Sequence, residues 1–227
     1  DQCLWRYVVK ETGRSFAIAP PAFQLEGSRV GGALARVSVQ SEPASQPGGV
    51  TEYRYQGQVY GVPALRLEMA FVVVEGSPVV RFRYRLMSEG AQTLTGGQAG
   101  EAAVDYVGLS LVDLDARSEV RLEEALVENE IPPAAFEQGR RLEGPILVAG
   151  DDAHTLLVAY EAETEMKAGS VAFGLTPAQT VRLRLFEEGR RAIDGTHPYE
   201  TMWMAFAALP EDADAALDDY RTSLGQA

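Results

Sequence analysis

A chain of 227 residues with 46% hydrophobic and 23% charged residues has the composition of a folded globular protein, which argues against disorder and against a membrane-spanning class. At this length it can bury a sizeable core, and β-sandwiches and barrels of similar length are commonly one domain. The formal net charge is −13, and lysines and arginines do not cluster on a predicted helix. The electrostatic field of so acidic a protein repels nucleic acid and anionic membranes, whereas it does not affect the approach of a neutral sugar.

Cys3 is the only cysteine, so an internal disulfide and a thiolate metal cluster are both excluded. No stretch approaches the roughly 20 apolar residues of a membrane helix, and the first residues lack the basic-then-apolar order of a signal peptide. These features favour a cytoplasmic location. Secretion stays open, because the chain does not begin with methionine and a cleaved leader would leave no trace.

Short alternating segments separated by turn signals dominate the first half of the chain. Residues 33–40 predict a half-buried antiparallel strand, with Ala35, Val37 and Val39 on one face. Residues 51–60 alternate aromatic and polar side chains and contain a turn predicted at Gly57. The segments predicted as strands are 5–9, 16–19, 33–40, 51–60, 65–74 and 80–86.

The clearest strand carries apolar side chains on one face and arginines on the other, over residues 80–86. Arg81, Arg83 and Arg85 line the polar face. In an acidic protein the simplest interpretation is that they pair with glutamates such as Glu68 on neighbouring strands. A clamp for phosphate or carboxylate is the alternative.

Strand signals continue through the second half, at 104–111, 120–127, 146–149, 154–160, 170–175, 180–186 and 201–206. The segment 120–127 also fits a helix, and its neighbourhood favours a strand. The glycine-rich residues 95–100 predict a turn, because a phosphate-binding loop would need a helix N-terminus after it. A bulge is predicted near Val107 and Gly108. Asp151 and Asp152 predict a hairpin tip, since the alternating ligands of a calcium loop are missing.

One helix is well marked, from Pro210 to about Leu224. Proline opens it, acids occupy its first turn, Arg221 lies in its last turn and Gly225 follows. A neighbouring element must cover its apolar stripe, which consists of Ala213, Ala216, Leu217, Tyr220 and Leu224. With roughly a dozen strands and no internal repeat, the predicted fold class is all-β, as two packed antiparallel sheets followed by this helix.

The sequence contains no self-sufficient catalytic pattern. His154 and His197 are the only histidines, no Gly-x-Ser-x-Gly motif is present, and the histidine spacing fits no metal site. A pair of acids could serve glycoside hydrolysis, but no motif selects a pair among the 33 acids. We therefore expect no catalytic, cofactor-binding or metal-binding residues. His197, Tyr199, Glu200 and Trp203 are the candidate contacts with a sugar or with another domain.

Several stretches together suggest a family: 78–86 (PVVRFRYRL), 106–111 (YVGLSL), 144–149 (GPILVA) with 157–161 (LVAYE), and 197–201 (HPYET). The sequence around them, from about residue 60 to the end, resembles the N-terminal β-domain of bacterial α-galactosidases of the melibiase type, glycoside hydrolase family 36. None of these stretches is a catalytic motif.

The resemblance implies a galactose-mutarotase-like β-supersandwich, here residues 1–209, and a linker helix, residues 210–227, that leads to a (β/α)8 catalytic barrel. It also implies a retaining mechanism with two aspartates, both in the barrel and therefore on no residue of this sequence. The chain would then be a non-catalytic domain that supports the barrel and rims its sugar site. The implied partners are an α-galactoside bound by the parent enzyme, the downstream barrel and further copies of the same chain.

Two alternatives stay open. A free-standing carbohydrate-binding module would expose an aromatic platform such as Tyr53, Tyr55 and Tyr60. An aldose-epimerase-like enzyme shares the supersandwich and would need His154 or His197 together with a glutamate in one pocket.

Overall fold

The computed structural model of the protein describes residues 3–40, 42–95, 104–110, 119–124, 127–130, 141–150, 154–161, 171–175, 180–185, 190–210 and 213–224. The described residues form twenty-one strands and one helix, α1 (Ala213–Leu224). The strands are β1 (Trp5–Val8), β2 (Ser15–Ile18), β3 (Ala22–Leu25), β4 (Ser28–Gly31), β5 (Leu34–Val39), β6 (Ala44–Gln46), β7 (Val50–Val59), β8 (Leu65–Val74), β9 (Val80–Ser88), β10 (Gln92–Thr95), β11 (Val104–Ser110), β12 (Glu119–Glu124), β13 (Val127–Glu130), β14 (Arg141–Glu143), β15 (Ile146–Gly150), β16 (Thr155–Glu161), β17 (Val171–Leu175), β18 (Thr180–Leu185), β19 (Arg190–Ile193), β20 (Tyr199–Glu200) and β21 (Trp203–Leu209).

The strands form two antiparallel sheets. The ten-stranded sheet has the order β14-β17-β18-β11-β3-β10-β19, with β4 on β3, β2 on β11 and β1 on β2. The eleven-stranded sheet has the order β13-β12-β15-β16-β21-β9-β8-β7-β5, with β20 on β9 and β6 on β7. The predicted all-β class with two packed sheets is confirmed. The strands outnumber the expected dozen because they include short strands of two to four residues, such as β4, β6 and β20.

The main core lies between the two sheets and is supplied by both. The alternation of β9 sends Phe82, Tyr84 and Leu86 into it. Trp5 of β1 crosses from the other sheet and meets Phe71 and Phe82 edge to face, with ring centroids 5.2 and 4.9 Å apart. Its indole N–H also donates to the Tyr84 hydroxyl at 3.3 Å. These contacts close the sandwich, because burying aromatic surface from both sheets removes it from water.

A second, smaller core lies on the opposite face of the eleven-stranded sheet. The buried alternate residues Leu157 and Ala159 of β16, and Ala205 and Ala207 of β21, belong to this core and not to the main one. Helix α1 covers them, and the helix residues that pack there are Ala216, Leu217 and Tyr220. The eleven-stranded sheet is therefore the middle layer of three, which explains why β16 and β21 are apolar on both faces.

The predicted helix is confirmed from Ala213 to Leu224, with two differences. Pro210 lies in a bend before the helix and not in its first turn. Leu224 is 46% exposed, because the sheet covers only the middle of the predicted apolar stripe. Ser223 is buried in its place. The predictions that concern Glu211, Asp212 and Gly225 lie outside the described residues.

Turns and irregular positions are partly as expected. The sequence predicts a turn at Gly27 and Ser28, and the β3–β4 hairpin turns one residue earlier, at Glu26 and Gly27, with φ of 51° and 78°. Positive φ at both positions is typical of a tight hairpin turn. The predicted bulge of β11 is confirmed between Asp105 and Val107. The segment at 120–127 is a strand pair, β12 and β13. The predicted turns at residues 96–100 and 151–152 lie outside the described residues.

Two predictions for the region of β5 and β7 are wrong. Strand β5 is exposed and not half-buried: Val37 and Val39 are 54% and 66% exposed, because β5 is the last strand of its sheet and nothing among the described residues covers its core-side face. Gly57 is not in a turn but lies inside β7, opposite Val37 and Leu67.

Gly57 lies where β5 bulges toward β7. The β5–β7 register shifts between Leu34 and Arg36, and a Cβ on Gly57 would lie 2.3 Å from the carbonyl oxygen of Arg36. Backbone that close leaves room only for hydrogen, so glycine is required here by space.

We expect Gly57→Ala to lower the free energy of unfolding by about 1–3 kcal/mol, because the added methyl group must push the β5 backbone away. Gly31→Ala in β4 is the matched control, since a Cβ there meets nothing within 4 Å, and it should change stability by less than about 0.5 kcal/mol. Urea denaturation of both variants measures the difference. Equal effects of the two substitutions would contradict the predicted contact.

Candidate functional site

The candidate contact residues begin in a tight turn between β19 and β20, closed by the carboxylate of Asp194. Its Oδ1 accepts hydrogen bonds from the backbone N of Thr196 at 2.7 Å, from the Thr196 hydroxyl at 2.7 Å and from the backbone N of His197 at 2.8 Å. These bonds favour the ionised form, and those from Thr196 contribute most to holding the pKa of Asp194 well below its usual range. The turn is thus built by Asp194, which in the sequence forms an Asp-Gly turn signal with Gly195.

The imidazole of His197 projects from this turn, and the side chain is 77% exposed. Its Nδ1 lies 3.2 Å from both carboxylate oxygens of Asp194 and 2.9 Å from the Thr196 hydroxyl. In the part of the chain that the structure describes, Nε2 has no hydrogen-bond partner. Since Nδ1 is engaged within the turn, Nε2 is the ring nitrogen that a ligand can reach.

Tyr199 and Trp203 lie in different environments. Tyr199 is buried in the main core, and the Arg191 guanidinium lies 4.9 Å from its ring centroid. Trp203 is half-buried, and the Arg83 guanidinium lies 4.6 Å from its ring centroid. Tyr199 therefore packs the sandwich, whereas Trp203 lies at the surface in a cation–π contact.

Glu200 joins two of the arginines of β9. Its carboxylate oxygens lie 3.4 Å from Nη1 of Arg83 and 3.1 Å from Nε of Arg85. The predicted pairing of these arginines with glutamates of neighbouring strands is confirmed, although Glu68 pairs instead with Arg54, at 3.8 Å. Because Glu200 lies between Arg83 and Arg85 and already bridges them, the two arginines do not form an open clamp for phosphate.

We define the charged band as the side chains Glu52, Arg54, Glu68, Arg83, Arg85 and Glu200. They lie on β7, β8, β9 and β20, on the face of the eleven-stranded sheet that α1 also packs against. Opposite charges alternate along it, and Glu52 and Arg54 are 2.8 Å apart. The band and Trp203 together make a surface with polar groups of both signs beside an aromatic ring.

The third arginine of β9, Arg81, is buried beneath α1. Its Nε donates to both carboxylate oxygens of Glu161 at 3.0 Å, and its Nη2 donates to the Ser223 hydroxyl at 3.1 Å. The Tyr220 hydroxyl donates to Glu161 at 3.1 Å, and burial followed by the Glu161 charge raises the pKa of Tyr220. A buried ion pair thus joins strands β9 and β16, and the hydrogen bonds of Ser223 and Tyr220 join the last turns of the helix to that pair. The sequence signal for this cluster was a single polar residue, Ser223, one position from the apolar stripe.

The residues that the two alternatives require are dispersed. Tyr53 and Tyr55 line a groove of about 1080 Å³ between β1 and strands β5, β7 and β8 of the eleven-stranded sheet. Tyr60 is not among the residues that line this groove. The described contacts of His154 are with Thr12, at 3.2 Å, and Arg14, at 3.0 Å. Those of His197 are with Asp194 and Thr196, so neither set contains a glutamate.

Among the described residues, no three His, Cys, Asp or Glu side chains come together as metal ligands would. No helix in this part of the chain is long and apolar enough to cross a membrane.

We expect Arg81→Met to lower the free energy of unfolding by about 3 kcal/mol, because it leaves the largely buried carboxylate of Glu161 without its cation. The control is Arg66→Met, which removes an exposed pair of similar geometry, Arg66 Nη2 to Glu89 Oε1 at 2.6 Å, and should cost about 0–1 kcal/mol. Urea denaturation measures both. A loss for Arg81→Met no larger than for Arg66→Met would remove the structural role assigned to the buried pair.

The Asp194 carboxyl should titrate below its ordinary value of 3.8. Because its folded-state pKa is depressed, the stability that it contributes is complete above the unfolded-state pKa and is lost as the pH falls through the folded-state pKa. Asp194→Ala should speed amide exchange of Thr196 and His197 at least about tenfold, whereas Asp218→Ala on α1 should leave both unchanged. Carboxyl NMR and amide exchange provide the measurements, and a midpoint at or above 3.8 would contradict the turn geometry.

Comparison with solved structures relates this fold to known enzymes. The chain is similar to the GH36 α-galactosidase AgaB from Geobacillus stearothermophilus, with a TM-score of 0.54 and 12% identity over 91% of this chain and 32% of that one. It is similar to the α-galactosidase from Lactobacillus brevis, with a TM-score of 0.54 and 11% identity over 90% and 31% of the two chains. A third similar structure is the α-N-acetylgalactosaminidase NagBb from Bifidobacterium bifidum, with a TM-score of 0.57 and 15% identity over 95% and 35%.

The resemblance noted from the sequence is thereby confirmed at the level of the fold, which is that of a part of these enzymes. The chain spans about a third of the length of the enzymes it matches. No protein-family description matches the sequence, and no curated protein matches it.

Proposed function

We propose that this chain is the non-catalytic N-terminal domain of an α-galactosidase-like glycoside hydrolase, and that it supports a catalytic barrel and rims its sugar site. The observation that carries the proposal is the coverage: nine-tenths of this chain matches about a third of each similar enzyme. A domain that makes up about a third of the parent protein leaves enough of its length for a barrel of about 250 residues. In this proposal residues 1–209 are the supersandwich and residues 210–227 the linker toward the barrel.

The way in which α1 is attached supports the linker role. The helix comes after β21 in the chain, and it is held by an apolar contact with the sheet and by hydrogen bonds of Tyr220 and Ser223 to the buried Arg81–Glu161 pair. A helix fixed at both contacts has one orientation relative to the sheet. A barrel that follows it would therefore begin in a defined direction, which a flexible linker could not provide.

The charged band and Trp203 form the surface best suited to meet the barrel. They lie beside α1 on the same face of the sheet, and they are polar, partly exposed and balanced in charge. Interfaces between domains of one chain are commonly of this mixed polar type. Glu200 and Trp203 are thus assigned to interdomain contact.

His197 is the residue assigned to the sugar rim. A ring held by Asp194 and presenting Nε2 to solvent offers one fixed polar group, and sugar hydroxyls both donate and accept hydrogen bonds. Tyr199 has a supporting part in this proposal, because it is buried beneath the turn. The two aspartates of the retaining mechanism would belong to the barrel.

The test begins with the reading frame beyond codon 227 and the protein that it encodes. We expect the full protein to hydrolyse p-nitrophenyl α-galactoside or its N-acetylated analogue with retention of configuration, and the 227-residue chain alone to be inactive. In the full protein His197→Ala should raise KM about three- to tenfold, because the substitution removes one neutral hydrogen bond to the sugar. Asp218→Ala, on the exposed side of α1, is the control and should leave KM unchanged.

Each part of the proposal can fail separately. A reading frame without a barrel would overturn the whole proposal. An unchanged KM for His197→Ala in an active enzyme would remove the sugar rim and leave the supporting role.

The alternatives predict activities of the chain by itself. Measurable binding of galactosides to the isolated chain in calorimetry would favour a carbohydrate-binding module. Mutarotation of galactose by the isolated chain would favour the aldose-epimerase-like enzyme, and its absence would remove that alternative.

A further inference from the structure

The surroundings of the His197 imidazole determine which of its ring nitrogens carries the proton. A neutral imidazole has one N–H donor and one bare nitrogen that accepts, and the contacts of the ring select between the two forms. Three oxygen atoms lie near Nδ1: Oδ1 and Oδ2 of Asp194, each at 3.2 Å, and Oγ1 of Thr196, at 2.9 Å. No such contact is made by Nε2 within the part of the chain that the structure describes. The position of the proton therefore depends on whether these oxygens donate or accept.

Both carboxylate oxygens of Asp194 only accept. The hydrogen bonds from Thr196, together with the one from the backbone N of His197, favour the ionised form and hold the pKa of Asp194 well below its usual range. An ionised carboxylate has no proton to donate. The Nδ1 of His197 can therefore bond to Asp194 only as an N–H donor.

The hydroxyl of Thr196 leads to the same result. It has a single proton, and its oxygen lies 2.7 Å from Oδ1 of Asp194, a distance at which two oxygens without a proton between them repel each other. The proton therefore points at Asp194, and the hydroxyl oxygen presents only lone pairs to Nδ1. All the oxygens near Nδ1 are thus acceptors, and a bare Nδ1 would face three sets of lone pairs.

We propose that Asp194 and Thr196 fix the proton of the neutral His197 ring on Nδ1, so that Nε2 accepts a hydrogen bond from a hydroxyl of the bound sugar. The identity of this ligand rests on the proposed function, whereas the position of the proton does not. A neutral ring of this form accepts from a hydroxyl or an amide N–H and offers no donor to an ionised carboxylate. Asp194 is a positioning residue in this role, because it acts on the sugar through His197.

His154 provides a reference with the opposite arrangement in the same chain. Nη1 of Arg14 lies 3.0 Å from Nδ1 of His154, and a guanidinium nitrogen only donates, so this Nδ1 must be bare. Nε2 of His154 lies 3.2 Å from the hydroxyl oxygen of Thr12, which can accept. The two histidines of this protein should therefore carry their protons on different ring nitrogens.

Nitrogen NMR of the imidazole rings in the isotope-labelled 227-residue chain tests the position of the proton. At about pH 8, where a histidine is ordinarily neutral, His197 should show a protonated Nδ1 and a bare Nε2. The Nδ1–H form should exceed the other at least about tenfold, because its N–H donates to a charged acceptor. His154 should show the reverse, and His197→Ala identifies the signals by removing one of the two sets.

Two variants of the turn separate the carboxylate from the hydroxyl. Asp194→Asn keeps an oxygen for the backbone N–H groups but places an amide NH₂ within reach of Nδ1, so the Nε2–H form of His197 should become the major one. Thr196→Val is the matched control, since it leaves both carboxylate oxygens in place and should keep the Nδ1–H form. An Nε2–H form of His197 in the unsubstituted chain overturns the proposal, and so does a proton position that Asp194→Asn leaves unchanged.

The KM of the full protein, measured at the same pH, tests the contact with the sugar. Asp194→Asn should raise KM about three- to tenfold, because Nε2 no longer accepts, and should have no effect once His197 is alanine. A merely structural Asp194 would raise KM in both backgrounds, and that result would overturn the positioning role. A reading frame without a barrel would overturn the proposed function but would leave the proton position in the 227-residue chain unchanged, so the two failures are distinguishable.

Discussion

The three arginines of β9 need acidic partners, and this requirement organises the outer face of the eleven-stranded sheet. A strand with a strict period of two must present one chemistry to each side, and β9 presents aromatic and aliphatic groups to the sandwich core. The other side carries three positive charges, which are buried or partly buried and therefore need anionic partners. Glu161 and Glu200 supply those partners, and they come from β16 and β20, at opposite ends of the arginine row.

This requirement divides the outer face of the sheet into two zones. Arg81 is covered by α1 and lies in a buried network with Glu161, Tyr220 and Ser223. Arg83 and Arg85 remain near solvent and share Glu200. The boundary between the zones is therefore the edge of the helix. A buried pair adds little net stability compared with apolar packing, but its hydrogen bonds to Tyr220 and Ser223 favour one position of the helix over others.

The core-side face of β5 is exposed, although the same face of the sheet is buried elsewhere. Phe71 and Phe82 pack in the sandwich core, whereas Val37 and Val39 are in contact with water. The bulge between Leu34 and Arg36 and the close approach at Gly57 fix the course of β5 against β7, which is its one partner among the described strands.

Local patterns decided much of the molecule. The period-two alternation of residues 80–86 determined the strand and its two faces, since these depend on which side chains neighbour each other along one strand, and it indicated that the arginines need acidic partners. The apolar stripe of α1 likewise determined that a neighbouring element must cover it, and in the structure that element is the eleven-stranded sheet. The turn signal at Asp194 located the candidate site, because the hydrogen bonds that form it span three residues.

Several glutamates are equivalent candidate partners for the arginines of β9, and only the tertiary structure decided which of them form the ion pairs. Glu68 and Glu200 are both glutamates opposite Arg85 on flanking strands, and the choice of Glu200 depends on strand order, which no local pattern encodes. The exposure of Val37 and Val39 depends on what lies across from β5. The need for glycine at position 57 depends on the neighbouring bulge of β5. Alternation reports which face a side chain is on, whereas burial depends on what lies across from that face, and residues far apart in the chain supply it.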